Sequence, residues 1–284
     1  MDEIKGLTVP QASMACMWIS CAAAFIIPAA LLIYLRKRQK ADIFPFFAGC
    51  GVMLLFAFVF ESACARALFS SAVGAKIQSS PFLYSLIGGA MAGLFEETGR
   101  YAAFRTVLSK YRGKDQNALM YGAGHGGFEA AVVLGIAMIN NLTYSVLLNT
   151  GRIDTVTSQI SPVEAEQLAL IVRSLAETSP FLFLLGTVER VFAIVMHLSL
   201  SVFVWFAAKD KKKFVLYALA IVLHTAFDAV TSYLGLKGMG TLLLEAIIGI
   251  GALFCAAAAQ KCWKKNHSKA PADLQACGGQ GDRE

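Results

Sequence analysis

Four segments of this sequence place ionisable residues one helical turn apart. They are Glu96-Glu97-Thr98-Gly99-Arg100, His125 with Glu129, Glu189-Arg190 followed by His197 and Ser201, and His224 with Asp228. Residues four apart share a helix face, so each segment presents a polar pair in one direction. A carboxylate with a His partner can deprotonate a water. Further donors can hold an oxyanion as it forms. Arg100, one turn from Glu96, would pair with that carboxylate and orient it. Three imidazoles from separate helices, His125, His197 and His224, could instead bind zinc and leave a fourth position for water. Glu96 or Glu97 would then act as base, and the residues one turn from each His would accept from its second nitrogen.

The elements that carry these residues are apolar. The chain has 284 residues, 57% hydrophobic and 15% charged, with a mean hydropathy of +0.60. A water-soluble fold of this size has no means of hiding that much apolar surface. The composition predicts an all-α polytopic transmembrane bundle. It excludes a soluble enzyme, a disulfide-stapled module, a disordered protein and a nucleic-acid binder. The seven cysteines form no C-x-x-C pair. Five of them lie in apolar runs, where Cys behaves as a small hydrophobe.

Seven stretches approach the ~20 apolar residues that a bilayer core needs. They are 14–35, 43–66, 81–108, 117–149, 180–208, 213–235 and 239–260. Asp2-Glu3 and the length of the first stretch mark it as a span, not a cleaved leader. The linkers alternate in basic content. Arg36-Lys37-Arg38-Lys40, Lys110-Arg112-Lys114, Lys209 with Lys211 to Lys213, and the C-terminal lysines fall on one side. Only Lys5, Lys76, Arg152, Arg173 and Lys237 fall on the other. The bias predicts the N-terminus outside, the C-terminus inside and multi-pass residence in a bacterial inner membrane. The net charge of +6 is thus an orientation signal. Counted from the basic side, Glu97, His125, His197 and His224 lie at similar depths of roughly 12–17 Å. One cavity lined by the third to sixth stretches is expected, open toward the cytoplasmic half of the bilayer.

The remaining features are peripheral. Ser161-Pro162-Val163-Glu164 has capping-box spacing with Pro at the first helical position. Leu168, Ile171, Val172 and Leu175 then share a face. An amphipathic outer helix over 162–177 follows, as an interfacial connector or a lid. Residues 1–265 read as a single integral-membrane domain and 266–284 as a disordered tail. Glu61, Arg66 and Glu245 read as structural or interfacial. Arg190 is placed to pair with Glu189 or to reach Glu129. The glycines Gly88, Gly89, Gly93 and Gly122 to Gly127 predict close helix contacts.

The ordered set of E-E-x-x-R, a Gly-rich segment with His and Glu, H-x-x-x-S and H-x-x-x-D resembles the clan of glutamic-type intramembrane peptidases. That clan includes the CAAX-prenyl endopeptidases with the bacteriocin-immunity proteins, the PrsW-type proteases and the anterior-pharynx subunit of gamma-secretase. Glu96-Glu97-Thr98-Gly99-Arg100-Tyr101 and Gly124-His125-Gly126-Gly127-Phe128-Glu129 are most similar to the YhfC-type membrane peptidases of bacteria. The resemblance covers about residues 80–235. It implies Glu96 as the water-activating base with His125 as its partner, and His224 with Asp228 at the oxyanion. It places His197 in the third motif, with Glu97 and Arg100 supporting the first. Two departures stand out. The prenyl-endopeptidase branch spaces its first motif one residue longer, and it often ends the last motif in Asn where this chain has Asp228. An Asp there suits a metal-bound imidazole better than an oxyanion.

The expected activity is therefore endoproteolysis of a membrane-embedded or lipid-anchored protein by a Glu/His-activated water, with no cofactor favoured and zinc on His125, His197 and His224 as the alternative. A scaffold or immunity-type protein and a proton- or ion-coupled transporter are the competing classes. The expected partners are a membrane protein or lipidated peptide and the bilayer, with no nucleic acid.

Overall fold

The computed structural model describes residues 6–267. Among them the chain is helical wherever it has regular structure. Helix α1 spans Gln11–Lys37. Helix α2, Phe44–Phe69, has a π-helical middle at Met53–Glu61. The short α3 (Ala72–Gln78) leads into α4 (Pro81–Arg105). Helix α5, Gln116–Asn149, contains a π-helical turn at Ala131–Ile136. Then follow α6 (Pro162–Glu177), α7 (Pro180–Lys209), α8 (Val215–Leu236) and α9 (Thr241–Asn266).

Six helices among the described residues are long and apolar enough to cross a membrane: α1, α2, α5, α7, α8 with the lysine turn before it, and α9. Helix α4 is long enough at 25 residues, but it carries Glu96, Glu97, Arg100 and Arg105. Seven spans are expected from the sequence; six of the described helices have the length and composition of one. The protein is a multi-pass integral membrane protein.

Starts and stops follow local chemistry. Pro sits in the first turn of α4, α6 and α7, where its missing N–H costs nothing. The Ser161–Glu164 capping box forms as the spacing predicts. Leu168, Val172 and Leu175 of α6 are buried, whereas Ile171 is 44% exposed. These residues pack with Val9, Met17, Leu142 and Leu148, against the ends of α1 and α5. Helix α6 therefore lies over that end of the bundle. The expected tail begins where α9 ends, at Asn266, and lies outside the described residues beyond 267.

Glycines set the spacing of the central helices. A Cβ at Gly124 of α5 would overlap the Phe46 carbonyl of α2. One at Gly122 would come within 2.8 Å of the Leu198 Cα of α7. Gly89 and Gly93 of α4 likewise admit the backbone of α8, whereas Gly88 faces open space. Helix α5 thus lies backbone to backbone with its neighbours, as small-residue stripes allow.

The two halves of the interior differ. Toward the basic linkers it is filled by Phe104, Tyr121, Leu200, Phe203, Trp205 and Phe206, all buried. That end is clasped by Asp115, whose carboxylate accepts from Trp205 Nε1 (2.9 Å), Lys209 Nζ (2.6 Å) and His267 Nδ1 (2.9 Å). The clasp joins the start of α5 to the ends of α7 and α9. Burial pushes the Asp115 carboxyl up, but the bonds from Lys209, Trp205 and His267 outweigh it and hold the group below its ordinary value. A depressed folded-state value stabilises the protein above the unfolded value near 3.9, and the gain is lost as pH falls through the lower folded value. Asp115→Asn is expected to cost about 1.5–3 kcal/mol at neutral pH, and the gap to wild type should shrink below pH about 3. Unfolding midpoints in detergent across pH check this; a gap independent of pH would contradict it.

Candidate active site

The polar residues of α4, α5, α7 and α8 meet in one buried cluster. Its centre is the Glu96 carboxylate. His125 Nε2 donates to Glu96 Oε2 at 2.9 Å. His224 Nε2 lies 3.9 Å and His197 Nδ1 4.0 Å from the same oxygen. Three imidazoles on three helices thus surround one carboxylate oxygen. Their rings pack in sequence, with centroids 4.9 Å apart for His125 and His197 and 5.4 Å for His197 and His224.

A chain of bonds supports this centre. Arg190 reaches both Glu129 (2.6 Å) and its neighbour Glu189. Glu129 Oε2 accepts from His197 Nε2 at 2.7 Å. Arg100 Nη2 donates to His197 Nδ1 at 3.0 Å, and its Nη1 pairs with Glu97. Glu97 Oε1 also accepts from His224 Nδ1 at 2.8 Å, and His224 Nε2 lies 3.3 Å from Asp228 Oδ2. Glu97 and Arg100 are fully enclosed. Glu97 Oε2 and Arg100 Nε have no hydrogen-bond partner. A buried network with open valences holds its geometry through the remaining bonds and is costly to disturb.

Glu96, Glu97, Arg100, His125, Glu129, His197, His224 and Asp228 all lie in this cluster, but several partners differ. Arg100 pairs with Glu97, three residues away, and not with Glu96. His125 meets Glu96, and His197 meets Glu129. The contacts His125–Glu96, His197–Glu129 and His224–Glu97 run between helices. Ser201, paired in sequence with His197, bonds only its backbone carbonyl. Of the four pairs, His224 and Asp228 alone face each other within one helix. Both alternatives for Arg190 hold at once.

A polar cavity of about 90 Å³ opens beside Glu96. Beyond the expected residues its walls include Phe227, Thr231 and Ile248. Thr231 is seven residues after His224 and so shares its face, a signal readable in the sequence. Ile248 comes from α9 and carried no such signal. The larger cavities are apolar and hold none of the charged residues.

One oxygen of Glu96 and one ring nitrogen each of His125 and His197 lie within 4.8 Å of one another, all three residues buried. Two nitrogens and a carboxylate oxygen make a donor set of the kind catalytic zinc uses. Glu129 on the far nitrogen of His197 fixes which nitrogen faces the centre. These three residues could hold a metal ion, with Arg100 Nη2 3.0 Å from the His197 Nδ1 that would face it. The set differs from the three histidines expected: Glu96 joins His125 and His197, while the ring nitrogens of His224 face Glu97 and Asp228.

Fold and site together define a polytopic membrane protein with a cluster of ionisable groups beside a polar cavity within its bundle. The YhfC intramembrane metalloprotease family model matches residues 23–249, and the chain belongs to that family. An uncharacterized membrane protein, YhfC of Bacillus subtilis (strain 168), is 29% identical over 222 residues, covering 78% of this chain and 84% of that protein. No solved structure matches.

Proposed function

We propose that this protein cleaves peptide bonds inside the membrane, at the chamber between α4, α5, α7 and α8, with a metal ion held by Glu96, His125 and His197. The observation that carries the reading is the convergence of three imidazoles on Glu96 Oε2 beside a polar cavity. The family's description as a metalloprotease supports it. A bound zinc would polarise the scissile carbonyl and activate a water. The chain's own residues do the rest. His224, 3.9 Å from Glu96 and backed by Asp228, is placed to take and return a proton at the cavity wall. Glu129 holds His197 in register. Glu97 and Arg100, outside the cavity lining, position His224 and His197. The substrate is a transmembrane segment or a lipid-anchored peptide, since the chamber lies within the bundle.

A metal-free reading, with Glu96 as base and His125 as its partner, has its own support. Arg100 occupies His197 Nδ1 at 3.0 Å, the nitrogen a metal would need. Metal analysis of the purified protein separates the two. About one zinc per chain, lost in His125→Ala and in His197→Ala but kept in His224→Ala, is expected. Metal-free protein that still cleaves would place the chemistry on Glu96 and His125 alone.

A further inference from the structure

The polar cavity is one-sided. On α7 its residues are Glu189, Arg190, Ala193 and His197 with Met196, all at or before His197. On α8, which runs the other way, they begin at His224 and end at Thr231. On α9 the contribution is Ile248, near that helix's start. Every one lies between Glu96 and the bundle end at which α7 begins. Side-chain exposure rises along the same direction. It is 8% at Glu96, 17% at Glu129 and Arg190, 34% at Asp228 and 38% at Glu189. Charged groups facing hydrocarbon cost at least ~2.5 kcal/mol each, so such groups face water. The remaining distance is short. Thr231 lies five residues before the end of α8 at Leu236, about 8 Å along the axis. In the opposite direction Tyr121, Phe104, Leu200 and Trp205 are fully buried and fill the bundle.

We infer that the chamber exchanges water and protons with the compartment facing the end at which α7 begins, through an entry lined by Glu129, Arg190, Asp228 and Thr231. The end carrying the basic linkers is sealed by the aromatic plug. By the charge bias of those linkers the entry faces the outer side, the reverse of the expected cytoplasmic opening. The inference rests on the proposed function only for the chemical meaning of that water; access itself is measurable without cleavage.

The test is cysteine labelling in membrane vesicles of both orientations, using the full chain with its native cysteines replaced by Ala. The reagent is a membrane-impermeant, positively charged methanethiosulfonate. Thr231→Cys and Ala193→Cys probe the entry and Val204→Cys probes the plug. Ser158→Cys and Ser109→Cys are references for the two faces, both at exposed positions. The expected result is labelling of Thr231→Cys and Ala193→Cys from the Ser158→Cys face only, with Val204→Cys unlabelled from either. Labelling from the Ser109→Cys face, or none at the entry while both references react, overturns the inference. Hydroxyl-radical footprinting of the unmodified chain reads the same property where the Ala-substituted chain fails to fold. Oxidation at Met196 and Phe227 with protection at Phe203 and Trp205 is expected, and the reverse pattern is fatal.

Discussion

Replacing Glu96 by Gln is expected to lower cleavage by about three orders of magnitude or more, in the upper range for loss of a positioned acid–base group. The amide keeps the shape of the carboxylate and one hydrogen bond to His125. It loses the charge on which three imidazoles converge. Both mechanisms depend on that charge, one as a ligand and the other as the base. The fold should survive, because Glu96 borders the cavity and its partners keep other bonds: His197 to Glu129 and Arg100, His224 to Glu97. Profiling of protein N-termini in membranes from cells expressing wild type or Glu96→Gln checks this. New termini within or beside membrane segments, present only with wild type, are expected. Equal sets of termini from two well-expressed proteins would remove Glu96 from the mechanism and favour a scaffold or transporter.

The neighbouring residue should behave in the opposite way. Glu97→Ala is expected to cost about 3–5 kcal/mol of stability, the usual penalty for leaving a buried charge without its partner. Arg100 is fully enclosed and pairs with the Glu97 carboxylate. The same substitution frees the Nδ1 of His224. A large drop in the unfolding midpoint in detergent is expected, with Glu97→Gln intermediate because its amide oxygen still accepts. An unchanged midpoint in Glu97→Ala would show that Arg100 finds another partner. The two adjacent glutamates thus separate a loss of reaction from a loss of fold.

Much of the bundle is legible in the sequence because hydrocarbon imposes a strict rule. A helical span must be long and mostly apolar. The stretches 14–35 and 180–208 accordingly fall within Gln11–Lys37 and Pro180–Lys209. The Ser161–Glu164 capping box marks the start of Pro162–Glu177, because a cap is a local hydrogen-bond pattern. The members of the charged cluster were legible for the same reason, since charge at that depth needs company. Their pairing was not. Spacing tells which face a side chain shares, and packing between helices decides whom it meets. Glu96 and Arg100 share a face, yet the three-residue reach to Glu97 wins. The direction of the cavity was also hidden. It depends on an aromatic plug assembled from α4, α5 and α7, and no single stretch of sequence records that assembly.

The glycine contacts of α5 bear on how the chamber meets a change of charge. His125 rides on a helix whose backbone touches Phe46 on one side and Leu198 on another, with Pro28 closing on Gly127. Side chains flex through rotamers; abutting backbones have none to flex through. The backbone that carries the His125 imidazole is therefore held in place while charge shifts among its neighbours. For the proposed cleavage, the reorganisation energy that a floppy site would spend on every turnover would then be met once, when the chain folds.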